Sequence, residues 1–234
     1  MAKDNSGLRA KVALRDWALA QMERPEILEG YAGVGRIGYR CGYAEHPGMA
    51  FDRQMDRAGT IARIRPLLEV YQGQAEVLLA AGLGKHRQFN FIDMDPWGEP
   101  WSALRAFFVG RTHPDRLVIA VHDGLPQKLK RGGGSQVAII QSFECIKHVS
   151  NDRLYERYPS LLPAMLLELL PGYEIADWRA AGASRLNLNW AAVLTVSESS
   201  AAGQGAPDTA SIPNTSRPPQ PAKGASRFAV PSPA

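Results

Sequence analysis

A glycine-spaced turn near the start of the chain has the residue types that a nucleotide-like cofactor requires. A short apolar run ends at the acid Glu29, and Gly30, Gly33 and Gly35 follow at close intervals. Glycine lets the backbone turn tightly and approach a ligand where a side chain would block it. In an α/β sheet such a turn joins the first strand to the first helix, so the pattern predicts a cofactor site at that edge of the sheet.

Two cofactor classes fit this turn. The residues from Gly33 to Gly38 match the dinucleotide pattern G-x-G-x-x-G, and Asp52 follows at about the distance of a ribose-binding acid. Dinucleotide sites place these glycines directly after the apolar strand, however, and here an acid, a glycine and a tyrosine intervene. An acid that closes the strand, followed by G-x-x-G-x-G, resembles the first motif of class I S-adenosylmethionine (SAM) dependent methyltransferases. We adopt SAM as the predicted cofactor and keep a nicotinamide or flavin site as the alternative.

The resemblance implies cofactor contacts at the tips of three successive strands. Asp52 would accept hydrogen bonds from both ribose hydroxyls, because one carboxylate can accept two at once; capping of the following helix is its alternative role. Gln74 and Ala75 occupy the position from which these enzymes usually offer an acid to the adenine amino group. Glutamine can accept the same hydrogen bond through its carbonyl, and an exposed turn is the alternative there. The residues that would surround the methionine part of SAM are Glu29, Gly30, Gly33 and Gly35.

A second motif lies at the end of the fourth predicted strand, in the run D-M-D-P-W-G-E-P from Asp93 to Pro100. An acid, a proline and an aromatic residue at a strand tip resemble the D-P-P-Y type motif of amino-methylating nucleic-acid enzymes. The run is also similar to the D-P-F-G-S-P of tRNA guanine-N2 dimethyltransferases, with tryptophan in place of phenylalanine and glutamate in place of serine. A strand-ending turn with a packed tryptophan is the alternative.

This resemblance implies direct transfer of a methyl group to an exocyclic or ring nitrogen of a nucleobase. An exocyclic amine is a poor nucleophile because its lone pair is delocalised into the ring. Asp95 and the carbonyl of Pro96 would hold the two N–H groups so that the lone pair points at the methyl carbon, and Trp97 would stack on the extruded base. Most of the rate would come from holding nitrogen, methyl and sulfur in line. These three residues are the predicted catalytic residues.

Candidate substrate contacts follow the fifth predicted strand. His122 ends this strand beside the predicted site and would contact substrate; a structural role is the alternative. Lys128, Lys130 and Arg131 precede three glycines in a segment that we expect to be a flexible, basic loop. Such a loop would meet phosphates of RNA or DNA and make affinity depend on salt, or it would simply be solvated. Trp97 completes the predicted substrate-binding residues.

The elements that position these motifs alternate between strand and helix. Apolar runs that end in turn residues predict strands over residues 26–29, 48–52, 67–72, 89–95 and 117–121. Amphipathic or charged stretches predict helices over residues 8–22, 36–41, 53–65, 77–81 and 101–109. This alternation predicts a parallel sheet with helices on both faces, with the motifs above at the strand tips.

The C-terminal part of the chain follows a different pattern. Helices are predicted over residues 137–148 and 158–170, followed by an antiparallel pair of strands over 173–179 and 187–196. Class I methyltransferases similarly end with a reversed final strand. We therefore expect an α/β fold, a three-layer Rossmann-like methyltransferase sandwich with a mostly parallel seven-stranded sheet and an antiparallel last strand. The expected domains are an N-terminal helix (1–24), a SAM-dependent methyltransferase domain (25–196) and a disordered Ala/Ser/Pro-rich tail (197–234).

Composition argues against several other classes. The 234 residues are 45% hydrophobic, which suits one globular domain with a tail. No apolar run approaches the ~20 residues of a membrane span, and the N-terminus lacks the apolar core of a signal peptide. Two cysteines, Cys41 and Cys145, fit neither a disulfide framework nor a zinc cluster, so we expect no metal and a cytoplasmic location. The net charge of +4 permits a polyanion partner without requiring one.

Together these features predict a SAM-dependent methyltransferase that N-methylates a nucleobase in RNA or DNA. Two alternatives remain open at the level of sequence. One is a SAM-fold binding or scaffold protein without turnover, which the departures from the family pattern at Gln74 and Trp97 allow. The other is a methyltransferase that acts on a protein or a small molecule.

Overall fold

The computed structural model describes residues 6–131, 138–184 and 187–198, and its strands form one seven-stranded sheet. The strands are β1 (Ile27–Gly30), β2 (Gly48–Asp52), β3 (Leu68–Gln72), β4 (Phe91–Met94), β5 (Arg116–Asp123), β6 (Tyr173–Ser184) and β7 (Asn187–Val196). The main helices are α1 (Ser6–Leu19), α2 (Arg36–Arg40), α3 (Met55–Ile64), α4 (Ala75–Ala80), α5 (Trp101–Phe108), α6 (Leu125–Lys130) and α7 (Asn151–Leu169). Short 3₁₀ helices lie at Tyr43–Glu45 and Glu144–Ile146.

The strand order is β3-β2-β1-β4-β5-β7-β6. Strands β1 to β5 run parallel. Strand β7 runs antiparallel to β5, and β6 runs antiparallel to β7. The predicted mostly parallel sheet with a reversed last strand is therefore confirmed. Because the order runs outward from β1 and β4 in opposite directions, a crevice opens at the carboxyl ends of these two strands, which is where open α/β sheets bind ligands.

Apolar side chains alternate between the two faces of this sheet and build the three layers. On β4, Ile92 and Met94 belong to the core of one face, whereas Phe91 belongs to the core of the other. The first face packs against α4, α5 and α7. The second packs against α1, for example through Leu14, and against α3, for example through Ile61. A sheet covered on both faces explains why the central strands are almost wholly apolar.

Helix α7 begins earlier than predicted and passes through two prolines. It starts at Asn151 and contains Pro159 and Pro163 in its interior. A proline inside a helix removes a backbone donor and favours a break. Here the buried side chains of Leu154 and Leu162 pack into the core on both sides of the first proline, so tertiary packing outweighs the local signal.

The segment after β5 differs from the predicted basic loop. Lys128 and Lys130 belong to helix α6, and Pro126 in the first turn is favourable there because the first-turn N–H groups have no helical partner. The prediction of a flexible loop is therefore wrong for these two lysines. The glycines that follow Arg131 lie outside the described residues.

The predicted helix over residues 137–148 is correct only at residues 138–140 and is wrong as a continuous helix, since turns follow and a 3₁₀ helix lies at Glu144–Ile146. The side chain of Glu168, 24 residues after Glu144, explains why the helix is interrupted. The Glu168 carboxylate accepts hydrogen bonds from the backbone N–H of Glu144 at 2.7 Å and of Cys145 at 3.3 Å. These contacts stabilise the turn in place of a continuous helix.

The boundaries of the predicted domains stay predictions. The N-terminal helix corresponds to α1, and from residue 199 the predicted tail lies outside the described residues. Within the described ranges, the structure contains no helix whose length and apolar character would allow it to cross a membrane.

Candidate functional site

The carboxyl ends of β1 to β5 surround a cavity of about 800 Å³. This volume is within the range of about 300–1,000 Å³ that is typical of ligand pockets. The predicted site residues that line the cavity are Gly33, Asp52, Gln74, Ala75, Asp95, Pro96, Trp97 and His122. The predicted residues that do not line it are Glu29, Gly30, Gly35, Lys128, Lys130 and Arg131.

The loop after β1 has an unusual backbone. Tyr31, Gly33 and Gly35 all adopt the left-handed conformation, with φ of 59°, 60° and 71°. For tyrosine this conformation costs about 1–2 kcal/mol, and such strain tends to occur at functional sites. A Cβ added to Gly33 would meet no protein atom within 4 Å, whereas one added to Gly30 would collide with Met94. Gly33 therefore leaves open space at the cavity wall, and Gly30 is required by packing within the sheet.

Asp52 ties this loop to the tip of β2. One carboxylate oxygen, Oδ2, accepts a hydrogen bond from the Gly33 N–H at 2.9 Å, and Oδ1 accepts one from the Gln54 N–H at 2.9 Å. The N-cap residue of α3 is Gln54, so Asp52 does not take the alternative role of helix cap. Because an ionised carboxylate has about four acceptor positions, Asp52 can still accept two hydrogen bonds from a ligand in the cavity.

Glu29 lies beneath the loop rather than in the cavity. It is buried and pairs with the guanidinium of Arg65, which follows α3 and lies over the ring of Tyr43. Burial raises the pKa of Glu29 to about 7, although Arg65 acts in the opposite direction. The Glu29–Arg65 pair therefore joins the end of β1 to the residue that follows α3.

The tip of β3 contributes an acid that the sequence analysis missed. Gln74 is the N-cap of α4, and Glu76 lies two residues later on the cavity wall. The Tyr31 hydroxyl donates a hydrogen bond to Glu76 Oε2 at 3.1 Å. An acid is thus present near the end of β3, two residues after the predicted position Gln74. A search for any acid near the end of β3 would have found it.

Helix α1 binds Asp93 on β4 and Asp95, the residue that follows this strand by one position. Arg15 donates to Asp93 through Nε at 2.7 Å and through Nη2 at 2.6 Å, and all of these atoms are buried. The Tyr43 hydroxyl donates to the same carboxylate at 3.0 Å. Four residues earlier on the helix, the Lys11 Nζ lies 2.7 Å from Asp95 Oδ1. Asp93 is therefore structural, and Asp95 is the acid that faces the cavity.

The charge of Asp95 is fixed by its neighbours. Burial alone would raise the pKa of this carboxyl group, but the positive charges of Arg15 and Lys11 outweigh burial and hold the pKa below its ordinary value. Asp95 is therefore an ionised hydrogen-bond acceptor throughout the physiological pH range. The sequence signal for this pair is the i, i+4 spacing of the two basic residues on an otherwise apolar helix face, since that spacing places them side by side.

Trp97 stands free at the cavity mouth. Its side chain is 93% exposed, so the alternative of a tryptophan packed into a structural turn is wrong. The loop that carries it is fixed by Gly124, whose N–H donates to the Gly98 carbonyl at 2.9 Å. A Cβ on Gly124 would approach the carbonyl oxygens of Trp97 and Gly98 to 3.0 and 3.1 Å. The backbone next to Trp97 is therefore held in place, and the faces of the exposed indole are available to a ligand.

The two residues that end β5 have different surroundings. His122 lines the cavity, and its Nδ1 lies 2.9 Å from Asn189 Oδ1 on β7. Asp123 is fully buried, where it accepts a hydrogen bond from the Tyr158 hydroxyl at 2.6 Å, and burial raises its pKa to about 7. Trp101 donates in turn to Tyr158, so Asp123 supports the core rather than the cavity.

Three arginines define one side of the cavity mouth, Arg36, Arg53 and Arg57, and we call this group the arginine rim. Arg36 and Arg53 are exposed, and Arg57 is half-buried. In the part of the chain that the structure describes, none of the three has an ion-pair partner. The described residues also contain no group of three or more His, Cys, Asp or Glu side chains that could hold a metal ion.

Comparison with known proteins gives structural matches. The N-methyltransferase NodS from Bradyrhizobium japonicum WM9 matches over 83% of this chain and 99% of its own, with a TM-score of 0.54 and 11% identity. The plantazolicin methyltransferase BamL, solved with a triazolic desmethylPZN analog and SAH, matches over 82% of this chain and 86% of its own, with a TM-score of 0.50 and 11% identity. TrmN from Thermus thermophilus matches over 82% of this chain, with a TM-score of 0.47 and 15% identity, and the chain spans only 52% of TrmN.

No protein-family model matches the sequence, and a search of curated proteins finds no match. At these identities the structural matches show the fold alone. That fold is the Rossmann-like sandwich of SAM-dependent methyltransferases.

Proposed function

We propose that this chain is a SAM-dependent methyltransferase that methylates a nitrogen of a nucleobase in RNA or DNA. The observation that carries the proposal is convergence. Gly33, Asp52, Asp95 and Trp97 come from the tips of three different strands and line a single cavity. An acid beside an open glycine loop suits a ribose, and an acid beside a free indole suits a planar amine.

The residues present fit SAM. Asp52 keeps two acceptor positions for the ribose hydroxyls, and Gly33 leaves room for the methionine part. Gln74 and Ala75 would lie along the adenine, and Glu76 supplies an acceptor for its amino group. When bound, SAM supplies an activated methyl group on its sulfonium. The residues that we assign to shaping the loop from within the fold are Glu29, Gly30 and Gly35.

The substrate nitrogen is assigned to the β4 side of the cavity. Asp95 is ionised and held by Lys11, so it can accept an N–H of the substrate without taking its proton. The carbonyl of Pro96 would accept a second N–H. Trp97 offers an exposed indole face, and stacking of a base on an aromatic ring is worth about 1–3 kcal/mol. This arrangement orients the nitrogen lone pair toward the methyl group.

The arginine rim supports a polyanionic substrate. Its members line the same cavity, and none of them forms an ion pair with a carboxylate of the described residues. Arginine is well suited to phosphate because its planar fork donates two parallel hydrogen bonds. The basic residues of α6, Lys128 and Lys130, and the adjacent Arg131 do not line the cavity, so we assign phosphate contact to the rim instead.

Methyl transfer from tritiated SAM to RNA or single-stranded DNA tests the proposal. We expect incorporation by the wild-type protein, with a KM for nucleic acid that rises with salt. Replacing the arginine rim (Arg36→Gln, Arg53→Gln, Arg57→Gln) should lower the slope of log KM against log salt by about 2–3, because each phosphate contact contributes about 0.7–0.9 to that slope.

The matched control carries the same loss of charge on the α6 side, as Lys128→Gln, Lys130→Gln and Arg131→Gln, and should leave the slope nearly unchanged. Methylation of a protein or a small amine without salt dependence would refute the nucleic-acid substrate and leave the methyltransferase. SAM binding without transfer to any of these acceptors would instead identify a binding protein without turnover.

A further inference from the structure

We propose that His122 is the proton acceptor of the methyl-transfer reaction, with its Nε2 taking the proton that the substrate nitrogen releases. The inference rests on the proposed function and assigns a reaction step to a residue that the sequence analysis placed only in substrate binding. His122 stands at the end of β5 on the wall of the cavity, beside Asp95 at the end of the neighbouring strand β4. Both side chains therefore face the position assigned to the substrate nitrogen.

The hydrogen bond to Asn189 sets the tautomer of the imidazole. His122 and Asn189 are directly opposite each other in the antiparallel pairing of β5 with β7, and Nδ1 lies 2.9 Å from the amide oxygen Oδ1. An amide oxygen can only accept, so Nδ1 carries the hydrogen and Nε2 carries the free lone pair. Asn189 is buried, which holds the ring in one orientation. The basic nitrogen of a cavity-lining histidine is thus the one left free for a substrate.

The charged groups around His122 favour the neutral ring. Burial lowers the pKa of His122, the carboxylate of Asp95 on β4 acts in the opposite direction, and the cations Lys11 and Arg15 on α1 lower it further. Asn189 on β7 is uncharged, and its hydrogen bond to the ring acts in the same direction as Asp95. The pKa therefore lies below the ordinary value of about 6.5, and at neutral pH the imidazole is ready to accept a proton.

Asp95 is less suited to this step than His122. Its carboxylate is held at 2.7 Å by Lys11, and its pKa lies below the ordinary carboxyl value because Arg15 and Lys11 outweigh burial. A carboxylate of lowered pKa is a weak base toward a nitrogen, whereas an imidazole has the higher ordinary pKa, about 6.5 against about 3.9 for an aspartate, and is the stronger base. We therefore assign different roles to the two residues: Asp95 orients the N–H groups, and His122 accepts the proton.

The step balances. The lone pair of the substrate nitrogen forms the new N–C bond as the S–C bond breaks, and the bonding electrons pass to the sulfur, which becomes a neutral thioether. The N–H proton passes to Nε2 of His122 and from there to water through the open cavity mouth. No oxidant, reductant or metal takes part.

The direct test is the pH dependence of kcat in His122→Gln. In the wild type, kcat should fall at acidic pH, as the pH drops through the pKa of His122, which lies below the ordinary value of about 6.5, because protonated His122 cannot accept a proton. His122→Gln should lower kcat by about 100-fold and abolish this acidic limb, while the Kd for SAM stays within about twofold. The unchanged Kd shows that the variant is folded. His148→Gln, at an exposed histidine, is the matched control and should behave as wild type.

A second variant separates a catalytic role from a structural one. Asn189→Asp places a carboxylate on Nδ1 and should raise the pKa of His122, so the acidic limb should move to higher pH by about one unit or more. An unchanged limb in Asn189→Asp, or wild-type kcat in His122→Gln, would overturn the inference while leaving the methyltransferase intact.

A measurement independent of turnover distinguishes the failure of this inference from the failure of the proposed function. Nitrogen NMR of ¹⁵N-histidine-labelled protein should show His122 as the Nδ1–H tautomer at neutral pH. The Nε2–H tautomer would refute the role of His122 whatever the activity. The Nδ1–H tautomer in a protein that transfers no methyl group to any acceptor would refute the proposed function, and the role of His122 with it.

Discussion

Replacing Asp52 by alanine is expected to weaken SAM binding by about 100- to 10,000-fold. Two hydrogen bonds from ribose hydroxyls to a charged acceptor are worth about 1.5–3 kcal/mol each, and every 1.4 kcal/mol is a factor of ten in Kd. The same substitution removes the acceptor of the Gly33 N–H and so releases the loop that lines the cavity. Calorimetric titration with SAM measures the loss.

Asp56→Ala is the matched control for this substitution. Asp56 lies in the first turn of α3 and is exposed, so its loss changes the charge near the cavity without removing a contact to the loop. We expect its Kd for SAM to stay within about twofold of the wild type. Circular dichroism of both variants verifies that the sheet is intact. Wild-type affinity in Asp52→Ala would show that this carboxylate does not hold the ribose.

Replacing Asp95 by alanine is expected to lower kcat by about 100-fold while the Kd for SAM changes little. The carboxylate is assigned to orienting the substrate nitrogen, and a misplacement of about 1 Å at a reacting atom costs about that factor. SAM binds mainly through the tips of β1 to β3 in this proposal, so its affinity should not depend on Asp95. Single-turnover transfer of labelled methyl, with SAM saturating, separates the two quantities.

Asp115→Ala provides the comparison for Asp95→Ala. Asp115 is an exposed acid that precedes β5, at the end of the sheet away from the cavity, so its loss should change neither quantity. Lys11→Ala is informative as well, because it removes the partner of Asp95 but keeps the acceptor, and we expect a smaller loss of kcat than in Asp95→Ala. Equal rates in Asp95→Ala and the wild type would exclude the assigned role of Asp95.

Most of the fold follows from sequence because its signals are local. Each central strand is a short apolar run that ends in turn residues, and β2 was predicted with its observed bounds, Gly48–Asp52. Parallel strands place their carboxyl ends at one edge of the sheet, so motifs at successive strand ends must converge. That topological rule predicts from the sequence that Asp52 and Asp95 line one cavity, as they do.

The supports of the site could not be predicted in the same way, because they join residues far apart in sequence. Lys11 meets Asp95 across 84 residues, and Arg15 meets Asp93 across 78. The i, i+4 spacing of Lys11 and Arg15 marks the two cations as neighbours on α1, but nothing local in the sequence indicates which acids they contact. Only the packing of α1 on the sheet brings them to the acids of β4.

The exposure of individual side chains could not be predicted from the sequence either. The turn at Trp97 is compatible with either a packed or a free indole, and only its 93% exposure decides between them. In the sequence, His122 and Asp123 likewise look equivalent, because both are polar residues at the end of a strand. Alternation along β5 sends one to the cavity and the other into the core, and the presence of Tyr158 on α7 settles which is which.

Titration of the wild-type protein with SAM, S-adenosylhomocysteine and NAD in a calorimeter tests most directly whether this cavity is an adenosylmethionine site. We predict one molecule of SAM or of S-adenosylhomocysteine bound per chain, each in competition with the other, and no heat of binding from NAD. Binding of NAD together with no binding of either sulfur compound would contradict the account and restore the dinucleotide interpretation of the glycine turn.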